Sequence, residues 1–451
     1  MYRKYPKYKN SGIEWFSLIP EHWQVIKLGR IGCFSASGID KKSDASELPV
    51  RMANYTDVYG NATLEIRSSV SLMETTTTTE KIADHGLKKG DILFTPSSET
   101  TEDIGLSAVV TADLHNAVYS YHLIRLRTSE RFNLNLGFKK YFCNVHEVLS
   151  QFSKACKGTT RQILGRDDFK DILILLPPAS EQKTIAVYLD RKTAQIDNLI
   201  AKKERMIELL QEERTAVINQ AVTKGLDPKV EMKDSGIEWL GKISKHWELK
   251  RLKYIANINP KRPDGIPDET KVVFIAMESM NTDGTYDNSI VRPYLEVKSG
   301  FTYFAEGDVI FAKITPCFEN EKGALLRNLG TSIGFGSTEF HVLRAVKNKT
   351  ISEYLYFLTI SGLFRGLGEA SMQGVAGQKR VTNDFVQDFI IGVPSVDEQK
   401  TISSYLEDKI KKIDTQIGRE NKSIEYLKEF RTALISEVVT GKIDVRDVVN
   451  A

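Results

Sequence analysis

EQKTIAVYLDRKTAQIDNLIAKKERMIELLQEERTAVINQAVT, residues 181–223, returns as EQKTISSYLEDKIKKIDTQIGRENKSIEYLKEFRTALISEVVT at residues 398–440. The copies share 21 of 43 positions without a gap. A period that long marks two copies of a whole module, not a solenoid repeat. In the second copy Leu406, Ile410, Ile413, Ile417, Glu420, Ile424, Leu427, Arg431, Leu434 and Val438 alternate spacings of four and three. The first copy gives Leu189, Thr193, Ile196, Ile200, Lys203, Ile207, Leu210, Arg214, Val217 and Ala221. A largely apolar heptad seam of this kind predicts a long helix that needs another long helix beside it. Pro177 and Pro394 precede the segments and Gly225 and Gly441 follow them, the start and stop signals of helices. Each helix would run about 65 Å at 1.5 Å per residue, too long for one small core. The copies are therefore expected to pair with each other, antiparallel about an approximate two-fold axis. Lys203 and Glu420 are counterparts near mid-helix in that pairing, a candidate cross-helix ion pair that sets the register.

A second repeat lies ahead of each helix. SGIEWFSLIPEHWQVIKL at 11–28 returns as SGIEWLGKISKHWELKRL at 235–252, matching at 9 of 18 positions. Trp15, Trp23, Trp239 and Trp247 are the 4 tryptophans of the chain, and all lie in this segment. Their large apolar area with one polar N–H predicts a recurring docking job, a buried hinge against the globular domain or the coil. The chain thus divides into a repeat segment (1–28), unique sequence (29–176), a long helix (177–223), a connector with the second repeat segment (224–252), unique sequence (253–393), the second helix (394–441) and a tail (442–451).

The unique regions barely resemble each other, yet follow one plan. Strand-like runs come first, such as 272–276. A Gly-Asp turn then enters a strand, GDILF at Gly90 and GDVIF at Gly307. A strand ending in Leu-Arg follows, YHLIRLR at Tyr121 and EFHVLR at Glu339, then helical stretches near 137–153 and 352–367. Last come a Gly-rich turn, KGTTRQILGRDDF at Lys157 or GVAGQKRVTNDF at Gly374, and an apolar strand ending in proline. The expected fold is α+β: two globular mixed α/β domains separated by two long antiparallel helices forming a coiled coil, with a pseudo-two-fold internal repeat.

The 451 residues, 41% hydrophobic and 27% charged, suffice for two or more cores. No apolar run reaches membrane-spanning length and the N-terminus lacks an apolar signal segment, so no membrane association is expected. The four cysteines (Cys33, Cys143, Cys156, Cys317) lack CxxC spacing and suit reduced thiols of a cytoplasmic protein. A net charge of +3 permits a polyanionic partner without announcing one.

With both repeats and the shared plan in view, nearly the whole chain resembles the specificity subunit of type I restriction-modification systems. The carriers are the paired SGIEW…HW segments and the paired P-x-x-x-EQ-x-x-I…ID…R-T-A-x-I…VT helices, with GDVIFAKITPCFENEKGA, GFGSTEFHVLR and TPSSET in the unique regions. The resemblance implies two target recognition domains, each reading one half of a bipartite asymmetric sequence in double-stranded DNA. It implies helices that fix the spacer and dock two methyltransferase subunits, with restriction/translocase subunits completing the complex. Adenine methylation and ATP-dependent cleavage would belong to those partners. No cofactor is then expected in this chain, with S-adenosylmethionine, ATP and Mg on the partner subunits.

The residues agree with a non-catalytic role. The only Pro-Pro, Pro177-Pro178, continues as Ala-Ser rather than as an adenine methyltransferase tetrapeptide, and suits a helix start. SIGFGS at Ser332 precedes a strand rather than joining strand to helix, no Walker lysine motif is present, and no HExxH occurs. Pro263-Asp264 with Glu269-Thr270-Lys271 spells a nuclease-like pattern inside a Pro/Gly-rich loop, with spacing too short for a nuclease core.

DNA contacts call for Lys, Arg or backbone N–H at phosphates, and Arg, Asn, Gln, Ser or Thr at bases. Thr159, Thr160, Arg161 and Gln162 in one region, and Gln378, Lys379 and Arg380 in the other, are the first candidates and hold corresponding places in the plan. Thr95, Ser97, Ser98, Thr100, Lys41, Lys42 and Lys313 come next. The alternative function is a coiled-coil scaffold whose globular modules bind protein without reading DNA.

Overall fold

The structure is a computed structural model that describes residues 3–375 and 377–447, so the tail expected at 442–451 lies partly outside the described residues. The repeated segments fold as their seams demand. Helix α1 (Ala179–Lys224) and helix α2 (Val396–Val439) run 46 and 44 residues without interruption. All the seam residues named above are buried or half-buried, and most residues between them are exposed. Gly225 and Gly441 follow with φ of +84° and +75°, the left-handed turn that ends a helix without a Cβ clash.

The chain forms two compact units, Met1–Lys203 with Lys422–Ala451, and Glu204–Asn421. The division falls inside the helices, so each unit holds one globular domain and a length of both. In each the helices run antiparallel. In the second unit Ile218, Ala221 and Val222 share a core with Ile402, Leu406 and Ile410, while Arg214 meets Asp414 at 3.2 Å. In the first, Glu181 and Gly441 both approach Trp23, while Asp197 accepts from Arg431 at 2.9 Å.

Both domains carry the same sheet. Gly32–Ala36, Ile124–Thr128, Ile92–Phe94 and Ser107–Val110 lie side by side in that order, and Glu65–Ile66 adds a fifth strand. Ala256–Ile258, Phe340–Ala345, Val309–Ala312 and Gly323–Leu325 repeat the order in the second domain. A second sheet carries a parallel pair in each case, Leu48–Ala53 with Ala117–Tyr119 and Lys271–Ile275 with Ile333–Gly336. The Gly-Asp turn and the Leu-Arg strand end meet in one buried ion pair: Asp91 takes Arg127 at 2.7 Å and Asp308 takes Arg344 at 2.8 Å. Both aspartates are 1% exposed, so the arginine is what makes a buried carboxylate tolerable.

Each repeat segment is woven into its domain. Gln24–Lys27 pairs with Leu173–Leu176, and Glu248–Arg251 with Ile390–Val393. Trp23 and Trp247 are fully buried and donate their indole N–H to Glu181 (3.0 Å) and Glu398 (3.1 Å) in the first turn of each helix. The neighbouring Gln182 and Gln399 tie the domain to the same turn through Asn135 N–H and Ile351 N–H. The other two tryptophans do a different job. Trp239 is 37% exposed and stacks on Phe389, and Trp15 lies under the Lys154 ammonium. The helical stretches expected at 137–153 and 352–367 are each broken in two, Leu136–Lys139 with His146–Ala155 and Ser352–Thr359 with Gly362–Ala370. Ser361 causes the second break by capping the new helix at Phe364 N–H.

Candidate nucleic-acid interface

In the first domain two loops that are distant in sequence close on each other. The strand Ser97–Ser98, just after GDILF, pairs with Gln162–Ile163 from the Gly-rich turn. That turn is a hairpin closed by Lys157 and Ile163. Gly158 has φ +132°, and a Cβ there would sit 2.0 Å from the Arg161 carbonyl, so the bend requires glycine. Thr159, Thr160 and Arg161 are carried exposed at its tip. Gln162 braces the bend, donating to Gly158 O at 3.0 Å.

Beside the hairpin is a cleft of about 650 Å³ lined by Tyr55, Tyr59, Ser98, Glu99, Thr100, Asp103, Thr160 and Arg161. The two tyrosine rings stack at 5.2 Å, and the Tyr59 hydroxyl donates to Asp103. His122 is held below its usual imidazole range by burial and by the cations of Lys41 and Arg161. Tyr55, Tyr59 and His122 escaped the sequence reading because only the fold brings their segments beside the hairpin.

The second domain repeats the construction. Lys313 and Thr315, just after GDVIF, bond along the backbone to Val381 and Lys379, and Ile314 bridges Arg380. Gln373 and Arg380 close the hairpin, and Gly374 has φ +135°. The ladders fix the correspondence. Ser97 opposite Ile163 matches Ile314 opposite Arg380. Arg380 therefore corresponds to Ile163 rather than to Arg161, a shift that the plan of the sequence did not reveal. Its guanidinium is gripped by Glu339, Nε to Oε2 and Nη2 to Oε1, both at 2.9 Å. Behind the pair, His341 bonds Val381 O and Asn259 and is pushed down to about 4, chiefly by burial.

The family model for the type I restriction modification DNA specificity domain matches residues 20–209 and 244–426. The chain belongs to this type I specificity family. It is 35% identical over 199 residues to the type I restriction enzyme EcoEI specificity subunit of Escherichia coli, a match spanning 44% of this chain and a third (33%) of that relative. The putative MjaX specificity subunit of Methanocaldococcus jannaschii is 23% identical over 436 residues, 95% of each chain. A solved chain from work on complex assembly and conformational transition of the type I R-M system superposes with TM-score 0.69 at 14% identity, covering 93% of this chain and 98% of that one. At that identity the likeness is one of fold.

Within this specificity-family fold the remaining expected residues separate by burial. Lys41, Lys42, Thr100, Gln378 and Lys379 are exposed, while Ser97 and Lys313 are half-buried on the strands beside the hairpins. Thr95 is a correction: it is 0% exposed and bonded to Leu106 O through its backbone, so it anchors the strand and faces no ligand. Ser98 is 5% exposed and turns its oxygen to Thr100 N–H, which makes it a loop brace. Of the coil positions, Ile196, Ile200, Ile413 and Ile424 are buried, and Lys203, Ile207, Leu210, Ile417, Glu420 and Leu427 are half-buried. Glu420 accepts from Gln416 one turn earlier. Among the described residues no helix is long and apolar enough to cross a membrane.

Proposed function

We propose that this chain is the DNA sequence-recognition subunit of a type I restriction-modification complex. Each domain reads one half of a bipartite, asymmetric target, and the hairpin laid on the strand after the Gly-Asp turn is the reading element. The observation that carries this is the recurrence of one backbone device in both domains with different side chains on it. Constant scaffold and variable tips are what two readers need when they do the same job on different words.

The chain acts without chemistry of its own. Methyl transfer and ATP-dependent cleavage belong to two methyltransferase subunits and to restriction/translocase subunits, which hold S-adenosylmethionine, ATP and Mg; the complex works in the cytoplasm. The paired helices fix the separation of the half-sites and carry the docking surface for the methyltransferases. Support for a rigid mount comes from the polar ties between each domain and its helices. In the first unit Lys140 and Tyr141 hold Asp190, and Ser436 donates to Glu147. In the second, Tyr354 donates to Val222 O and Arg327 meets Glu407.

The test is selection from a pool of randomised duplexes by the full chain assembled with its methyltransferase partner. The expected result is enrichment of one two-part, non-palindromic sequence. An assembly that retains every duplex equally would favour the protein-binding scaffold instead.

A further inference from the structure

Arg380 stands on the hairpin in an ion pair that the matched position of the first domain, Ile163, cannot form. Glu339 grips its Nε and Nη2, and Nη1 donates to Gln378 O at 3.2 Å, while the arginine side chain stays 41% exposed. The strand registers place His122 of the first domain where the second has Glu339, and Ile163 where it has Arg380. Both members of the pair are thus replaced together, yet the first hairpin is pinned to its strand in the same manner. The turn does not require the ion pair, and a pair this exposed contributes little to stability. Some other demand fixes the guanidinium.

Its geometry names that demand. A guanidinium has five N–H donors in a planar fork. Three of them are spent on Glu339 and Gln378, which leaves one N–H on each Nη. An arginine fork of two donors matches O6 and N7 of guanine in the major groove, the commonest specific arginine contact. A phosphate accepts the same fork but carries no sequence, so the two are separated by whether the contact depends on one base. We infer that Arg380 reads a guanine in the half-site of the second domain, with Glu339 as the positioning residue that aims the fork. This deepens the DNA-recognition reading and rests on it.

The experiment uses the full chain assembled with its methyltransferase partner, and a sequence enriched from a pool of randomised duplexes. Each guanine of that sequence is then replaced singly by 7-deazaguanine, which keeps the base pair and removes the N7 acceptor. At one guanine the wild-type assembly is expected to lose about tenfold or more in affinity. Arg380→Ala should show no loss there, having already lost the contact. Arg380→Lys, which keeps the charge but not the fork, should behave like Arg380→Ala on this test. Glu339→Gln should lose most of the discrimination at that one guanine. The assignment is overturned if no guanine shows an Arg380-dependent loss, or if Arg380→Ala weakens every duplex alike. A wild-type assembly that enriches no sequence at all overturns the recognition reading itself, and the assignment with it.

Discussion

His341 shows how a single side chain in the second domain ties pH to stability. The imidazole is buried, donates to Val381 O and faces Lys313 and Glu339, and burial pushes it down to about 4. A histidine whose folded value lies below its unfolded value near 6.5 stabilises the fold above that value. The unfolded chain binds the proton first as pH falls, so stability is lost from about 6.5 toward 4. We predict a loss of about 2 kcal/mol at pH 5 relative to pH 7, read by thermal unfolding, and a flatter dependence over that range in His341→Gln. A second prediction concerns Arg161, exposed and without an ion pair among the described residues. Arg161→Ala should weaken DNA binding by the assembly and, if a phosphate is lost, lower the salt slope by about one; binding unchanged at every salt would remove Arg161 from the interface. Residue type and turn context placed Arg161 and Lys379 on exposed turns, where the structure has them. They misled at Thr95, because burial is set by the strand register, which local sequence does not print.

At the scale of elements, the repeated Glu-Gln pair at each helix start explains why those letters recur. Glu181 is 8% exposed and receives Trp23, Tyr5 and His22, at 3.0, 3.1 and 2.6 Å. Removing the carboxylate strands a buried indole N–H and a buried hydroxyl. Glu181→Ala is therefore expected to cost about 3 kcal/mol in thermal unfolding. Glu398→Ala should cost less, because the Glu398 side chain is 28% exposed against 10% for Glu181. Equal, negligible effects would show that the clamps do not hold the repeat segments. The helices were almost fully legible: seam, ends and glycine stops stand as the heptads and breakers indicate. What stayed hidden was the clamp, since the partner of Trp23 lies far along the chain and neither residue advertises it. If the helices set the spacer, inserting one whole helical turn between Ile196 and Val217 should lengthen the gap in the recognised sequence. An unchanged gap would refute the ruler.

Across the whole molecule, two domains of one topology carry different residues at matched positions: His122 and Ile163 in the first, Glu339 and Arg380 in the second. The duplication and the shared plan could be read from the sequence. The pairing of each hairpin with its strand could not, because it joins segments more than sixty residues apart (Ser97 with Ile163, Ile314 with Arg380) whose side chains differ between domains. The most direct measurement is a domain exchange. Residues 29–176 would be replaced by the corresponding region of another family member, and the DNA modified by the assembled complex sequenced. Independent readers on a common scaffold predict that one half of the modified sequence changes while the other half and the gap stay as they were. A change in both halves, or in neither, would contradict them.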